Sequence, residues 1–154
     1  MTAQHTAAGS SSRTIFKLGL GSGTTQTMEY VTPSTLGNTT DFGDTSNNGR
    51  MNSAVADGTY MLIHGGNFTN DNRQIEYVTI ATPGNASDFG DTTVAVENTV
   101  SGGDATRAIH KLASGGVAST CNVIEYTTMA TPGNATDFGN DDTDEKGVSC
   151  ACSG

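Results

Sequence analysis

The sequence predicts an all-β fold made of three tandem units. Near copies of one segment begin at Glu29, Glu76 and Glu125, with Glu-Tyr, Gly-Asn and Asp-Phe-Gly held at constant spacing inside each copy. A period of about 48 residues is typical of repeat architectures. The chain is also rich in Gly, Thr and Ser, which favour short strands and tight turns over helices. The chain is therefore predicted to fold as one array of three similar β units.

Composition alone would predict a different outcome. Leu, Ile, Val and Phe make up about 16% of the chain, and the formal net charge is -9, which together are typical of disordered sequences. A disordered segment has no physical reason to repeat Tyr and Phe at one fixed spacing. The repeat therefore outweighs the composition.

The charge balance excludes some classes of partner. Asp and Glu number 16 against 7 Lys and Arg, and no basic cluster interrupts the acidic surroundings. Such a chain repels phosphate backbones and anionic lipid. The sequence shows neither a secretory signal peptide nor an apolar run long enough to cross a bilayer. We therefore expect no nucleic-acid binding and no membrane insertion.

The middle unit predicts four strands in order. Residues 51–56 form a short apolar run before a turn, 59–64 a buried strand that Gly65-Gly66 ends, and 74–81 a strand covered on both faces. A Pro-Gly turn then leads to a last segment around Phe89. The predicted structural anchors, shared by the units, are Tyr30, Phe42, Gly65, Gly66, Tyr77, Phe89, Gly115, Gly116, Tyr126 and Phe138.

The unit boundaries predict that the two ends of the chain belong to one and the same unit. We expect an N-terminal arm over 1–10 and a single domain over 11–154, with units over 11–49, 50–96 and 97–143. The first unit shows no apolar leading strand, whereas 144–154 lies where a further leading strand is expected. The sequence therefore predicts that this C-terminal strand completes the first unit.

The order of Arg, hydrophobic strand, double Gly, Tyr-bearing strand and late aromatic resembles kelch repeats. That resemblance implies four-stranded blades of a β-propeller. The phrase EYVTIATPGNASDFGDTT, beginning at Glu76, further resembles a repeat of virion proteins of marine bacteriophages, in tail fibres and other surface parts. Phe42, Phe89 and Phe138 depart from the kelch pattern, where Trp is usual.

Three blades are fewer than the four to eight of known propellers. The shortfall predicts a homo-oligomer, either a six-bladed dimer or an extended assembly. The alternative is a β-trefoil or a β-prism, in which one chain closes on a pseudo-threefold axis.

No catalytic set emerges from the motifs. Asp-Phe-Gly lacks the other kinase motifs and is interpreted as a turn with an aromatic anchor. His64 and His110 lie on predicted central strands and are interpreted as structural. Paired oxygen ligands three residues apart form weak Ca²⁺ candidates, namely Asp41 with Asp44, Asp88 with Asp91, and Asp137 with Asn140. We expect no enzyme activity and no cofactor.

The resemblance to phage virion repeats, with the acidity and the lack of a catalytic set, implies a phage virion structural protein, a capsid-surface decoration or fibre component with an adhesive role. It would be made in the host cytoplasm and located at the virion surface, among other virion proteins. The alternative is a lectin-like module that binds a host-surface glycan, because loops with Tyr, Asn and Asp supply stacking faces and hydrogen-bond partners.

Overall fold

A computed structural model describes residues 5–19, 25–49, 52–66, 73–95, 98–113 and 121–145, apart from the side chains of 143–145. Within these ranges the structure has twelve strands and no helix, and so has no helix that could cross a membrane. Each of the three repeats forms its own four-stranded antiparallel sheet, and the first includes a strand from the predicted N-terminal arm. The all-β repeat fold predicted from the sequence is confirmed.

Strands run in chain order across each sheet. The first sheet contains β1 (Thr6–Gly9), β2 (Thr14–Lys17), β3 (Thr27–Val31) and β4 (Thr40–Asp44). The second contains β5 (Ser53–Ala56), β6 (Tyr60–His64), β7 (Gln74–Thr79) and β8 (Ser87–Asp91). The third contains β9 (Asn98–Gly103), β10 (Arg107–Ala113), β11 (Cys121–Thr128) and β12 (Thr136–Glu145).

The leading strand of the first sheet corrects two predictions. β1 lies within the predicted N-terminal arm and pairs along β2, from Thr6 with Lys17 to Gly9 with Thr14. Among the described residues the first sheet therefore has its four strands from residues 6–44, and none of them is C-terminal. β1 is an edge strand that is only half-buried, and its small residues form no apolar run. The sequence pattern therefore did not indicate this strand. Residues 146–154 of the predicted closing strand lie outside the described residues.

One turn joins the first two strands of every sheet. The backbone N–H groups of Ser10, Asp57 and Asp104 each donate to the carbonyl three residues on. Asp57 Oδ1 accepts from the N–H groups of Thr59 and Tyr60, both at 2.7 Å. Short polar side chains that bind the following backbone favour such turns.

Two hydrophobic clusters join consecutive sheets. The first contains Ile15, Met28 and Phe42 of the first sheet with Met61, Ile63, Val78 and Ile80 of the second. The second contains Val55, Leu62, Ile75 and Phe89 of the second sheet with Ala108, Met129 and Ala135 of the third. The alternative threefold fold requires a third interface, between the first and last sheets. No cluster of the described residues joins those two sheets.

A β-bulge recurs at Asp-Phe-Gly in every unit. Ile75 pairs with Gly90 but the next residue, Glu76, pairs with Asp88, so Phe89 is the extra residue of the edge strand. Gly43, Gly90 and Gly139 have φ of 136°, 147° and 144°, which Gly adopts more readily than other residues. The predicted turn is thus a bulge inside a strand.

Candidate functional site

The same surface groove is present in all three sheets. It lies between the third strand and the loop that follows it, with volumes of about 240, 210 and 300 Å³ in the first, second and third sheets. All eight lining positions are equivalent in the repeat. In the second sheet they are Tyr77, Val78, Thr79, Thr82, Pro83, Gly84, Asn85 and Ser87.

The groove is shaped by a tight turn beside an aromatic wall. The N–H of Thr82 donates to the carbonyl of Thr79 at 3.1 Å, and the other two sheets repeat this bond. The ring of Tyr77 meets Phe89 edge to face at 5.7 Å between centroids. Packing that holds the ring at a fixed angle gives the groove a rigid apolar side.

Aromatic support continues on the other side of the tyrosine. Arg13 lies 4.8 Å from the centroid of Tyr30, and Arg107 lies 4.7 Å from that of Tyr126. In the second sheet Tyr60 takes the place of the arginine and meets Tyr77 at 5.7 Å. All three tyrosines are half-buried, so part of each ring faces solvent.

The chemistry of the groove is neutral and polar. Its walls offer tyrosine, threonine hydroxyls and an asparagine, without a charged side chain in any of the three copies. Such groups bind neutral ligands rich in hydroxyls by hydrogen bonds and by contact with an aromatic ring.

The loops beneath the grooves of the second and third sheets also bind the preceding sheet. Asn85 Oδ1 accepts from the N–H of Asp44 at 3.0 Å, and the N–H of Gly84 donates to the carbonyl of Phe42 at 2.7 Å. Asn134 Oδ1 accepts from Asp91 in the same way at 3.1 Å. The shared geometry of the grooves in the second and third sheets therefore follows from how each sheet packs on the preceding one.

Sequence reasoning did not single out the glutamate beside each tyrosine as a functional group. Glu76 and Glu125 are fully buried and accept hydrogen bonds from the preceding sheet, from the N–H of Ser46 at 2.7 Å and of Thr93 at 2.8 Å. Burial raises the pKa of both carboxyls, and those hydrogen bonds oppose the rise. A charged residue repeated on a strand with apolar neighbours was the available signal.

The two histidines on central strands form a buried pair. The rings of His64 and His110 lie 3.6 Å apart between centroids. Ser101 and Thr127 lie within hydrogen-bonding distance of His110, at 3.0 and 3.1 Å. Burial lowers the pKa of His110 to about 3, and burial together with His110 holds the pKa of His64 well below its usual range. Both imidazoles are therefore neutral.

A second cavity lies where the leading strands meet. Its volume is about 230 Å³, and residues of β1, β5 and β9 line it. Ser53 Oγ bridges Thr99 at 2.8 Å and Ser101 at 2.5 Å. These hydroxyls already form hydrogen bonds with one another, so fewer of them are free to bind a ligand than in the repeated groove.

The predicted site residues fall into separate places. Among the Ca²⁺ candidates, Asp91 is half-buried and the other five are exposed, and the described residues hold no cluster of three potential metal ligands among His, Cys, Asp and Glu. Phe42 and Phe89 are buried at 2% and 3% exposure, but Phe138 is 56% exposed. Gly65 and Gly66 have positive φ, as a turn requires. Gly115 and Gly116 lie outside the described residues.

The chain was compared with known proteins. No protein-family model matches it, and a search of curated proteins finds no similar sequence.

Proposed function

We propose that this protein is a structural and adhesive component of a virus particle, at the surface of a phage capsid or in a fibre. The observation that carries the proposal is one groove, lined by eight equivalent positions, that is present once in each of the three sheets. A stack of equal units presents the same binding surface several times. Multivalent presentation strengthens attachment without requiring a tight single site.

The acidic charge and the sequence resemblance support this location. A net charge of -9 keeps such a surface from binding nucleic acid non-specifically. The resemblance of the repeated phrase to phage virion repeats remains a prediction. Mass spectrometry of purified particles tests it, with immunogold labelling to locate the chain. Recovery of the chain only from the soluble host fraction, and never with particles, would overturn the proposal.

A lectin-like module is the second candidate, because the groove lining favours it. Tyrosine, threonine and asparagine without charge match the hydroxyl groups and apolar ring faces of a sugar. A glycan array tests this function, followed by titration of any sugar that binds. The three groove variants Tyr30→Ala, Tyr77→Ala and Tyr126→Ala, made singly and together, should weaken binding stepwise.

The matched control for the lectin function is Ala105→Ser, an exposed turn position away from the grooves. It should leave the titration unchanged. An array without signal above background would exclude the lectin function, yet it leaves the particle location to its own test.

A further inference from the structure

We propose that the outer face of the third sheet binds the outer face of the first sheet of a second copy of this chain. The third-sheet face comprises Arg107, Lys111, Tyr126, Phe138 and Asn140. The first-sheet face comprises Glu29, Pro33, Leu36, Gly37 and Asn38. Their counterparts meet at the two interfaces inside the chain, which supply the template for the docking.

The exposed hydrophobic residues locate the two faces. Leu36 and Phe138 are the large hydrophobic residues that the described part of the chain exposes, at 105% and 56%. Their counterparts at the internal interface are Pro132 and Phe89. Those two line one small cavity of about 50 Å³ between the second and third sheets. Docking by the same geometry would place Leu36 of one copy beside Phe138 of another.

The backbone of the third-sheet face already has the required conformation. In the second sheet a Cβ built on Gly90 would lie 2.5 Å from the carbonyl carbon of Gly133, so glycine admits the next loop. Gly139 has nearly the same φ, 144° against 147°, yet no described atom lies within 4 Å of its Cβ position. The Gly139 position is therefore shaped to receive a loop, and the loop of the first sheet carries Gly37 at the matching place.

Hydrogen-bonding groups match in the same register. At the internal interface Asn85 Oδ1 accepts from the N–H of Asp44. The equivalent pair across two copies is Asn38 Oδ1 with the N–H of Asn140. The backbone bond from Gly84 to Phe42 likewise becomes a bond from Gly37 to Phe138.

Charges on the two faces are also complementary. Lys17 of the first sheet is attracted to Glu76 of the second, and Arg13 donates to the carbonyl of Ile80 at 2.9 Å. The equivalent pairs across two copies are Lys111 with Glu29, and Arg107 with the carbonyl of Pro33.

Two carboxylates of the third sheet, Asp141 and Asp142, also lie at the proposed contact. Asp141 forms a 3.0 Å ion pair with Lys111, so its charge is partly compensated. Asp142 occupies the position of Ser46, whose backbone N–H binds Glu76. Any residue except proline supplies that N–H, so Glu29 would retain a donor at Asp142.

The proposed contact is heterologous, because each copy contributes a different face. Such contacts form a closed ring when the rotation returns to the start and a filament when it does not. Two chains would bring together six sheets, within the range of closed propellers.

A complementation experiment tests the docking. Phe138→Lys damages only the third-sheet face, and Leu36→Lys damages only the first-sheet face. Light scattering should find the wild type oligomeric at high micromolar concentration and each variant monomeric. A mixture of the two variants should form a one-to-one dimer, because one undamaged pair of faces remains. Recovery on mixing also shows that both variants are folded.

Cysteine cross-linking then identifies the contact. In a background with Cys150→Ser and Cys152→Ser, one chain carries Leu36→Cys and another Phe138→Cys, while Cys121 stays buried. A disulfide should form when the two are mixed, and not when Ala105→Cys replaces Leu36→Cys. A monomeric wild type with no cross-link would overturn the proposal. So would dimers linked through Phe138→Cys alone, since they indicate a twofold contact.

Discussion

The two interfaces inside the chain share the same inter-sheet hydrogen bonds but differ in the large buried side chains between the sheets. Each has a glutamate and an asparagine that bind the preceding sheet, in the pairs Glu76 with Asn85 and Glu125 with Asn134. The large central side chain differs, because the position of Lys17 in the first sheet is occupied by His64 in the second. Side chains that bind a neighbouring backbone are thus repeated, whereas those that fill the space between sheets vary.

Lys17 and His64 are accommodated in the interior in different ways. Lys17 Nζ donates to the carbonyls of Leu18, Thr25 and Gly49 at 2.9, 2.7 and 3.2 Å, and burial lowers its pKa to about 8. His64 instead packs against His110 as a neutral ring, with the two ring planes tilted by 35°. We infer that the first interface keeps a buried cation at neutral pH, whereas the second depends on the absence of charge.

The largest expected effect comes from removing a buried phenylalanine. Phe89→Ala should lower the free energy of unfolding by about 3–5 kcal/mol, because it leaves a cavity between the second and third sheets. Phe42→Ala should cost a similar amount at the first interface. Urea denaturation of each variant measures the loss.

Phe138→Ala is the matched control for these cavities. The residue is the same member of the repeat but is 56% exposed, so its truncation should cost the dilute monomer less than about 1 kcal/mol. A cost equal to that of Phe89→Ala would show that Phe138 is covered in the monomer.

The buried glutamates should rank next. Glu76→Ala leaves the N–H of Ser46 without its acceptor and should cost about 1–3 kcal/mol. Glu125→Ala should cost a similar amount, because the N–H and the hydroxyl of Thr93 donate to that carboxylate, as the backbone and side chain of Ser46 stabilise Glu76. Denaturant unfolding of the two variants compares the interfaces directly.

Glutamine provides the control for charge. Burial raises the pKa of Glu76, which means that the folded state disfavours its charge. Glu76→Gln keeps an acceptor oxygen and should therefore retain most of the stability that Glu76→Ala loses. Equal losses from alanine and glutamine would show that the charge, rather than the hydrogen bond, joins the sheets.

Acid should weaken the second interface through its histidines. Burial lowers the folded-state pKa of His110 to about 3, whereas its unfolded pKa is 6.5. Below pH 6.5 the unfolded chain therefore binds more protons than the folded chain, and the free energy of unfolding decreases as the pH is lowered. At pH 5 the loss from His110 is about 2 kcal/mol. Protonation of Glu76 and Glu125 acts in the opposite direction, because their folded pKa values are raised.

A variant separates these two contributions. His110→Gln removes one imidazole and leaves both glutamates, so its free energy of unfolding should fall less steeply between pH 7 and pH 5 than that of the wild type. The measured quantity is the difference between the two pH profiles. Identical slopes would show that His110 is not held neutral by the fold.

Much of the fold was predictable because the repeat encodes it locally. In the middle unit, the strands predicted over 51–56, 59–64 and 74–81 correspond to β5, β6 and β7. Alternating apolar residues and glycine punctuation carry that information within a few residues. β1 was missed because its sequence, TAAG, has no apolar period, and its strand conformation depends on pairing with β2.

The candidate site was less predictable, because it depends on neighbours in space. The repeated tyrosines were predicted as structural anchors, and in the structure they also line the groove. Nothing in the sequence distinguishes Phe138 from Phe89, since the difference in burial arises from the sheet that packs on one and not the other. The His64 and His110 pair likewise joins different positions of two units, so the repeat pattern could not indicate it.

The smallest effect should come from the asparagines, where the two interfaces ought to be equal. Asn85→Ala and Asn134→Ala each remove one hydrogen bond to a backbone N–H, at 3.0 and 3.1 Å, and should each cost about 1 kcal/mol. Asn38→Ala is the control, because its equivalent bond requires a second copy. It should leave the dilute monomer unchanged and weaken only the association of chains, as measured by sedimentation. A loss of monomer stability from Asn38→Ala would place its partner within the same chain and make all three interfaces internal.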